Sequence, residues 1–192
     1  MVPAAYQTFL VASVAASSAL IGLLFVSVSI APERVFGPQS EAVRQARAVS
    51  AFTALANVFF FSLTSLIPGV NAGLVATITG LVSALQTLAL LRLFNEWRSE
   101  GALLRSLILF LGSVAIYAGE VFLGVGLWVN PSATGALTGL FEVILGAYAI
   151  GLGRAWELLG GPRLSFVSAV AGWFDRARSP KPPRSGDKSR PG

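Results

Sequence analysis

The chain has 192 residues, 54% of them hydrophobic and 12% charged, with a formal net charge of +5. A soluble domain carries about a quarter charged residues and breaks its apolar runs with polar faces; with a mean hydropathy of +0.72, this chain is composed for lipid. Cysteine and histidine are absent, which excludes disulfides, thiol chemistry, the commonest zinc and haem ligands and every imidazole-based triad.

The first apolar run, 5–30, has no Lys or Arg before Arg34. It is also longer than the roughly 7–15 apolar residues of a secretory signal, so it is expected to be a mature first helix. Four further stretches approach or exceed the about 20 apolar residues a spanning helix needs: 49–67, 70–94, 103–129 and 133–159. Pro68-Gly69 separates the second from the third, and Asn130-Pro131-Ser132 the fourth from the fifth. Such punctuation reads as two tight helical hairpins. A single helix over 49–94 would be far too long for one crossing.

Charge then orients the bundle. The hairpin turns carry none, whereas Glu33, Arg34, Glu41, Arg44 and Arg47 follow the first run, and Glu96, Arg98, Glu100 and Arg105 follow the third. Cytoplasmic loops are the ones enriched in Lys and Arg. Five spans, N-terminus out and C-terminus in, put every basic residue on one side, including Arg92, Arg154, Arg163 and the tail. Four spans would divide them between both sides. The expected fold is therefore an all-α polytopic bundle over 1–160, in a bacterial inner membrane. Trp128 falls at the outer end of the fourth span, Trp156 near the inner end of the fifth and Trp97 in the inner loop, as interfacial tryptophans do.

Gly160-Gly161-Pro162 breaks the chain after the fifth span. In 163–176, Phe166, Val167, Val170, Trp173 and Phe174 recur at three- and four-residue spacing, which predicts an amphipathic helix lying in the inner interface. From Arg176 onward come six basic residues, four prolines and no large apolar side chain, so 177–192 is expected to be a disordered tail. Arg176, Arg178 and Lys181 beside Trp173 suit anionic lipid headgroups, at about 1 kcal/mol per basic residue near the surface. No aromatic residue is interleaved in the tail to stack on bases, so nucleic acid is not an expected partner.

Two segments resemble a family of uncharacterised bacterial membrane proteins of actinobacterial type. They are Gly22-Leu-Leu-Phe-Val-Ser-Val-Ser-Ile-Ala-Pro-Glu-Arg34 and Asn57-Val-Phe-Phe-Phe-Ser-Leu-Thr-Ser-Leu-Ile-Pro-Gly69. The resemblance covers about the first third of the chain and implies a small multi-pass membrane protein without assigning it an activity.

Two carboxylates lie near the middle of apolar runs, where a charge costs about 2.5–3.5 kcal/mol on insertion scales. Glu120 in the fourth span and Glu142 in the fifth are each eleven residues from Pro131, which puts both roughly 13–16 Å below the outer surface. Ser113, Tyr117, Glu120 and Gly124 share one face of the fourth span; Gly135, Thr138, Glu142, Gly146 and Gly153 share one face of the fifth. Both polar faces are expected to point at protein or a water-filled cavity. A close carboxyl pair would hold a proton between them; an oligomeric ring of them would hold a cation; with neither role, each would be a protonated carboxyl hydrogen-bonded to a neighbouring helix as packing glue. Asn57 and Thr77 fall near the same depth as weaker pathway candidates. Gly69-xxx-Gly73 reads as close packing rather than anion capture. The small-sided first span, with Ala12, Ser13, Ala15, Ala16, Ser17 and Ala19, suits a bundle centre, an oligomer interface or a pore lining. The expected function is a small homo-oligomeric channel or proton- or cation-linked carrier, without cofactor or metal. The alternative is an accessory or scaffold subunit that recruits a partner. No nucleophile–base pair supports an enzyme.

Overall fold

The structure, a computed structural model, describes residues 2–30, 32–37, 42–93 and 103–158. These form six α-helices: α1 (Ala4–Ile30), the single-turn α2 (Pro32–Phe36), α3 (Ala42–Ser65), α4 (Ala72–Ala89), α5 (Leu103–Val129) and α6 (Thr134–Leu158). A 3-10 turn, Leu90–Leu93, extends α4. Five of them, all but α2, are long and apolar enough to cross a membrane, and the fold is all-α. The interfacial helix expected at 163–176, the tail 177–192, and with them Trp97, Trp173, Arg176, Arg178 and Lys181, lie outside the described residues.

The spans agree with the apolar runs to within two or three residues except at one point. α3 begins at Ala42, about two turns before the apolar run at Val49. Residues 42–48 are Ala, Val, Arg, Gln, Ala, Arg and Ala, mostly strong helix formers with no Gly or Pro among them, so the helix projects beyond its apolar part. Proline opens α2, where its missing N–H costs nothing and its fixed φ suits a helix start.

Both hairpin turns close locally. Gly69 takes φ +83°, a left-handed conformation that glycine adopts at no steric cost. Asn71 then caps α4, its side-chain oxygen accepting from the N–H groups of Gly73 at 2.9 Å and Leu74 at 3.3 Å. In the second turn the Asn130 N–H donates to the Gly126 carbonyl at 2.9 Å, and the Ala133 N–H donates to the Asn130 carbonyl at 3.1 Å. The two turns share one end of the bundle, the turn end. The other, the charged end, carries Arg44, Arg47, Arg92 and Arg154.

α3, α4, α5 and α6 pack in a closed ring, each against its two neighbours, and α1 lies outside against α3. It also meets α6: Tyr6, tilted, and Phe9, edge-on, pack against Phe141 with ring centroids 5.0 and 5.1 Å from it, and the Tyr148 hydroxyl donates to the Ser13 carbonyl. α3 is the most enclosed helix. The small residues of α1 do not mark the bundle centre: Ser13 and Ser17 are buried, but Ala12, Ala15, Ala16 and Ala19 are exposed. Two serines of α1 donate within their own helix, Ser17 to the Ser13 carbonyl at 2.6 Å and Ser18 to the Val14 carbonyl at 2.6 Å.

The closest approach is between α4 and α5. A Cβ placed on Gly73 would stand 2.7 Å from the Gly124 carbonyl oxygen, and one on Gly124 would stand 2.8 Å from the Thr77 nitrogen. Of the Gly69-xxx-Gly73 pair, Gly73 thus serves close packing, whereas a Cβ on Gly69 would meet nothing within 4 Å and that glycine serves the turn. The apolar core fills the turn-end half of the ring: Val58 and Phe61 from α3, Ala72, Val75 and Ala76 from α4, Leu127 from α5, and Leu137, Leu140, Phe141 and Ile144 from α6.

Candidate functional site

Glu120 is 1% exposed, enclosed between α3, α4 and α5. A buried carboxyl must find hydrogen-bond partners or bear several kcal/mol of desolvation, and the neighbouring helices supply them. The Asn57 amide nitrogen on α3 donates to Glu120 Oε2 at 2.8 Å and to Ser83 Oγ on α4 at 3.0 Å. Thr79 Oγ1 on α4 lies 2.8 Å from Glu120 Oε1. The same hydroxyl lies 3.0 Å from the Val75 carbonyl, one turn back in its own helix.

That double contact matters because a hydroxyl has one proton to give. Donated to Glu120, it leaves the carboxylate ionised with a donor on each oxygen. Donated to Val75, it leaves a lone pair facing Glu120, which can accept from a protonated carboxyl. Asn57 keeps its bond to Oε2 in both states. Glu120 can gain or lose its proton while only the Thr79 hydroxyl rotates.

Polar groups on all three helices continue from this level toward the charged end. Toward the charged end α3 carries Thr53 and Ser50, α4 carries Ser83 and Thr87, and α5 carries Tyr117 and Ser113, all buried. Each set steps back by three or four residues, so it stays on one helix face. Thr53 Oγ1 bonds to Gln86 Oε1 at 2.8 Å, and Gln86 is exposed. Toward the turn end the same helices present Val58, Phe61, Val75, Ala76 and Leu127.

Asn57 Oδ1 is buried without a hydrogen-bond partner. The hydroxyls of Ser62 and Ser65, nearer the turn end of α3, also lack one. At the turn end itself a cavity of about 240 Å³ is lined by Val2, Pro3, Gly69 to Ala72, Leu127, Pro131 to Ala133 and Leu137.

The sequence-based candidates therefore divide. Glu120, Tyr117 and Asn57 come together at one buried site, and Ser113 and Gly124 lie on the same buried face of α5, as their spacing predicted. Glu142 does not join them. It is exposed on the outward side of α6, with Thr138 and Gly135 also exposed, while Leu137, Leu140, Phe141, Ile144 and Ala147 face the bundle. The expectation that both glutamates face inward is corrected: Glu120 is buried within the bundle and Glu142 is exposed on its outside. Thr77 is half-buried and bonds to the Gly73 carbonyl at 2.8 Å; Thr79, two residues on, takes the place expected of it. Trp128 and Trp156 are 49% and 42% exposed near opposite ends of the bundle, as interfacial anchors require. Among the described residues, no three His, Cys, Asp or Glu side chains converge as a metal site.

Compared with protein families, with curated proteins and with solved structures, the chain matches none of them.

Proposed function

We propose that this chain is a membrane transport protein, a carrier for protons or monovalent cations, with Glu120 as the carrying group. The observation that supports this reading is the Thr79 contact. A carboxyl serving only as packing glue needs one satisfied state, whereas Glu120 has two that differ by a hydroxyl rotation. The apolar plug on the turn-end side favours a carrier over an open pore. The one-sided arginines favour an inner-membrane orientation with the charged end and the C-terminus in the cytoplasm. The test is flux. Purified protein in liposomes should pass protons or monovalent cations down an imposed gradient, and Glu120→Gln should reduce this to the leak of protein-free liposomes. Absence of flux under every gradient and voltage would refute the reading.

A second reading concerns assembly and is favoured by Glu142. An ionisable group facing hydrocarbon is costly, and small neighbours such as Gly135 let another helix approach closely. We propose that a second copy of the chain covers this face. The mass of the protein in mild detergent tests it: Glu142→Leu should shift the protein toward monomer, and a monomeric unmodified protein would overturn it.

A further inference from the structure

We infer that Glu120 is wetted from one side only, through an aqueous half-channel that opens at the charged end and terminates in a water site on Asn57 Oδ1. This deepens the reading of Glu120 as the carrying group, and rests on it, by naming the compartment with which that group exchanges.

Three observations carry it. The first is the unmet acceptor. Asn57 is 4% exposed, both of its amide protons are used, on Ser83 and Glu120, and its Oδ1 has no partner. Buried amide oxygens are almost always paired, and where no protein donor reaches them an ordered water does so. Such a water needs two to four polar partners, and the next turns of α3 and α4 offer hydroxyls at Thr53, Ser83 and Thr87.

The second is direction. From the level of Glu120, Thr53 and Ser50 on α3, Ser83 and Thr87 on α4, and Tyr117 and Ser113 on α5 are buried toward the charged end, whereas toward the turn end α3 alone adds buried hydroxyls, Ser62 and Ser65.

The third is the seal. On the other side, the cavity at the turn end reaches Ala72, Leu127 and Leu137, which belong to the apolar core. The glycine-mediated contact of α4 with α5 closes the space beside it. Ser62 does not extend the route: five residues beyond Asn57, it points about 140° away around α3.

The sequence holds no cysteine, so single serine-to-cysteine replacements, nearly equal in size, report without background. Full-length Ser50→Cys, Ser83→Cys and Ser62→Cys variants would be placed in vesicles of defined orientation. Each would be exposed to silver ion on one face, then unfolded and treated with a maleimide. Silver is small enough to follow water, and its binding reads as lost maleimide labelling. The inference predicts that Ser50→Cys and Ser83→Cys lose labelling with silver at the charged end but not at the turn end. Ser62→Cys should keep full labelling from both faces. Protection of Ser83→Cys from the turn end, or from neither face, overturns it, as does protection of Ser62→Cys from the turn end. Variants count only if they keep the helix content and elution of the unmodified protein; Thr87→Cys replaces Ser83→Cys if the latter fails this. The outcome is separable from transport. A one-sided seam without flux keeps the half-channel and refutes the carrier, and flux without silver access does the reverse.

Discussion

Gly124→Ala tests the packing that positions the site. The added methyl would lie 2.8 Å from the Thr77 nitrogen, 2.9 Å from its Oγ1 and 3.0 Å from the Ala76 Cβ. Ordinary contacts of this kind are about 3.5–4.0 Å, so α4 and α5 must part by about 0.5–1 Å. Two of the three atoms met are backbone or Cβ and cannot swing aside. Overpacking of this order costs about 1–3 kcal/mol, against which alanine returns at most about 1 kcal/mol over glycine as a helix former. The net expectation is a loss of about 1–2 kcal/mol. The same separation draws Thr79 away from Glu120, since one rides on α4 and the other on α5 a turn from Gly124. Reversible unfolding in mixed detergent would measure the loss, with Gly126→Ala as control because nothing lies within 4 Å of a Cβ there. If Gly124→Ala proves as stable as the control, the close crossing of α4 and α5 is wrong.

Asn57→Ala removes the donor that ties α3 to both Glu120 and Ser83, and should cost about 1–3 kcal/mol in the same unfolding assay. A double-mutant cycle with Glu120→Ala should show coupling, and strict additivity would deny the contact. Phe141→Ala empties the space between Tyr6, Phe9 and Phe61. With lipid as the reference the transfer share is small, but the cavity remains, so about 2 kcal/mol and looser attachment of α1 are expected; unchanged stability would contradict the aromatic cluster. Glu142→Gln should leave Glu120-dependent flux intact, because the two carboxyls face different surroundings. A loss equal to that of Glu120→Gln would show that they act together.

Much of the architecture was legible because lipid imposes few options: apolar length fixed the spans, and Pro68-Gly69 and Asn130-Pro131 fixed the turns. The inward face of α5 was legible as well, since Glu120, Tyr117 and Ser113 recur at helical spacing among large apolar residues. The same rule failed on α6. It carries a polar face and a bulky apolar face, and spacing alone does not say which one the neighbours require. Here the bulky face packs with Leu10 and Phe61 in the apolar core, and Phe141 gathers the aromatic rings of α1. Glu142 is turned outward as a consequence. Depth counting likewise chose Thr77 over Thr79. Two residues along a helix change depth by about 3 Å but direction by about 200°, and only the neighbouring helices fix direction. The exposure of the alanines on α1 was illegible for the same reason: small residues suit a bundle centre and a periphery equally.

The most direct test of the account is whether Glu120 changes protonation in place. Infrared difference spectra between acidic and alkaline buffer would be taken in a Glu142→Gln background, which removes the outward-facing carboxyl at the matching position of α6. A protonated-carboxyl band that vanishes as pH rises, is lost in Glu120→Gln and leaves the amide backbone bands unchanged is the predicted result. A spectrum without any Glu120-dependent band, or one in which the helices rearrange as the band disappears, would contradict it.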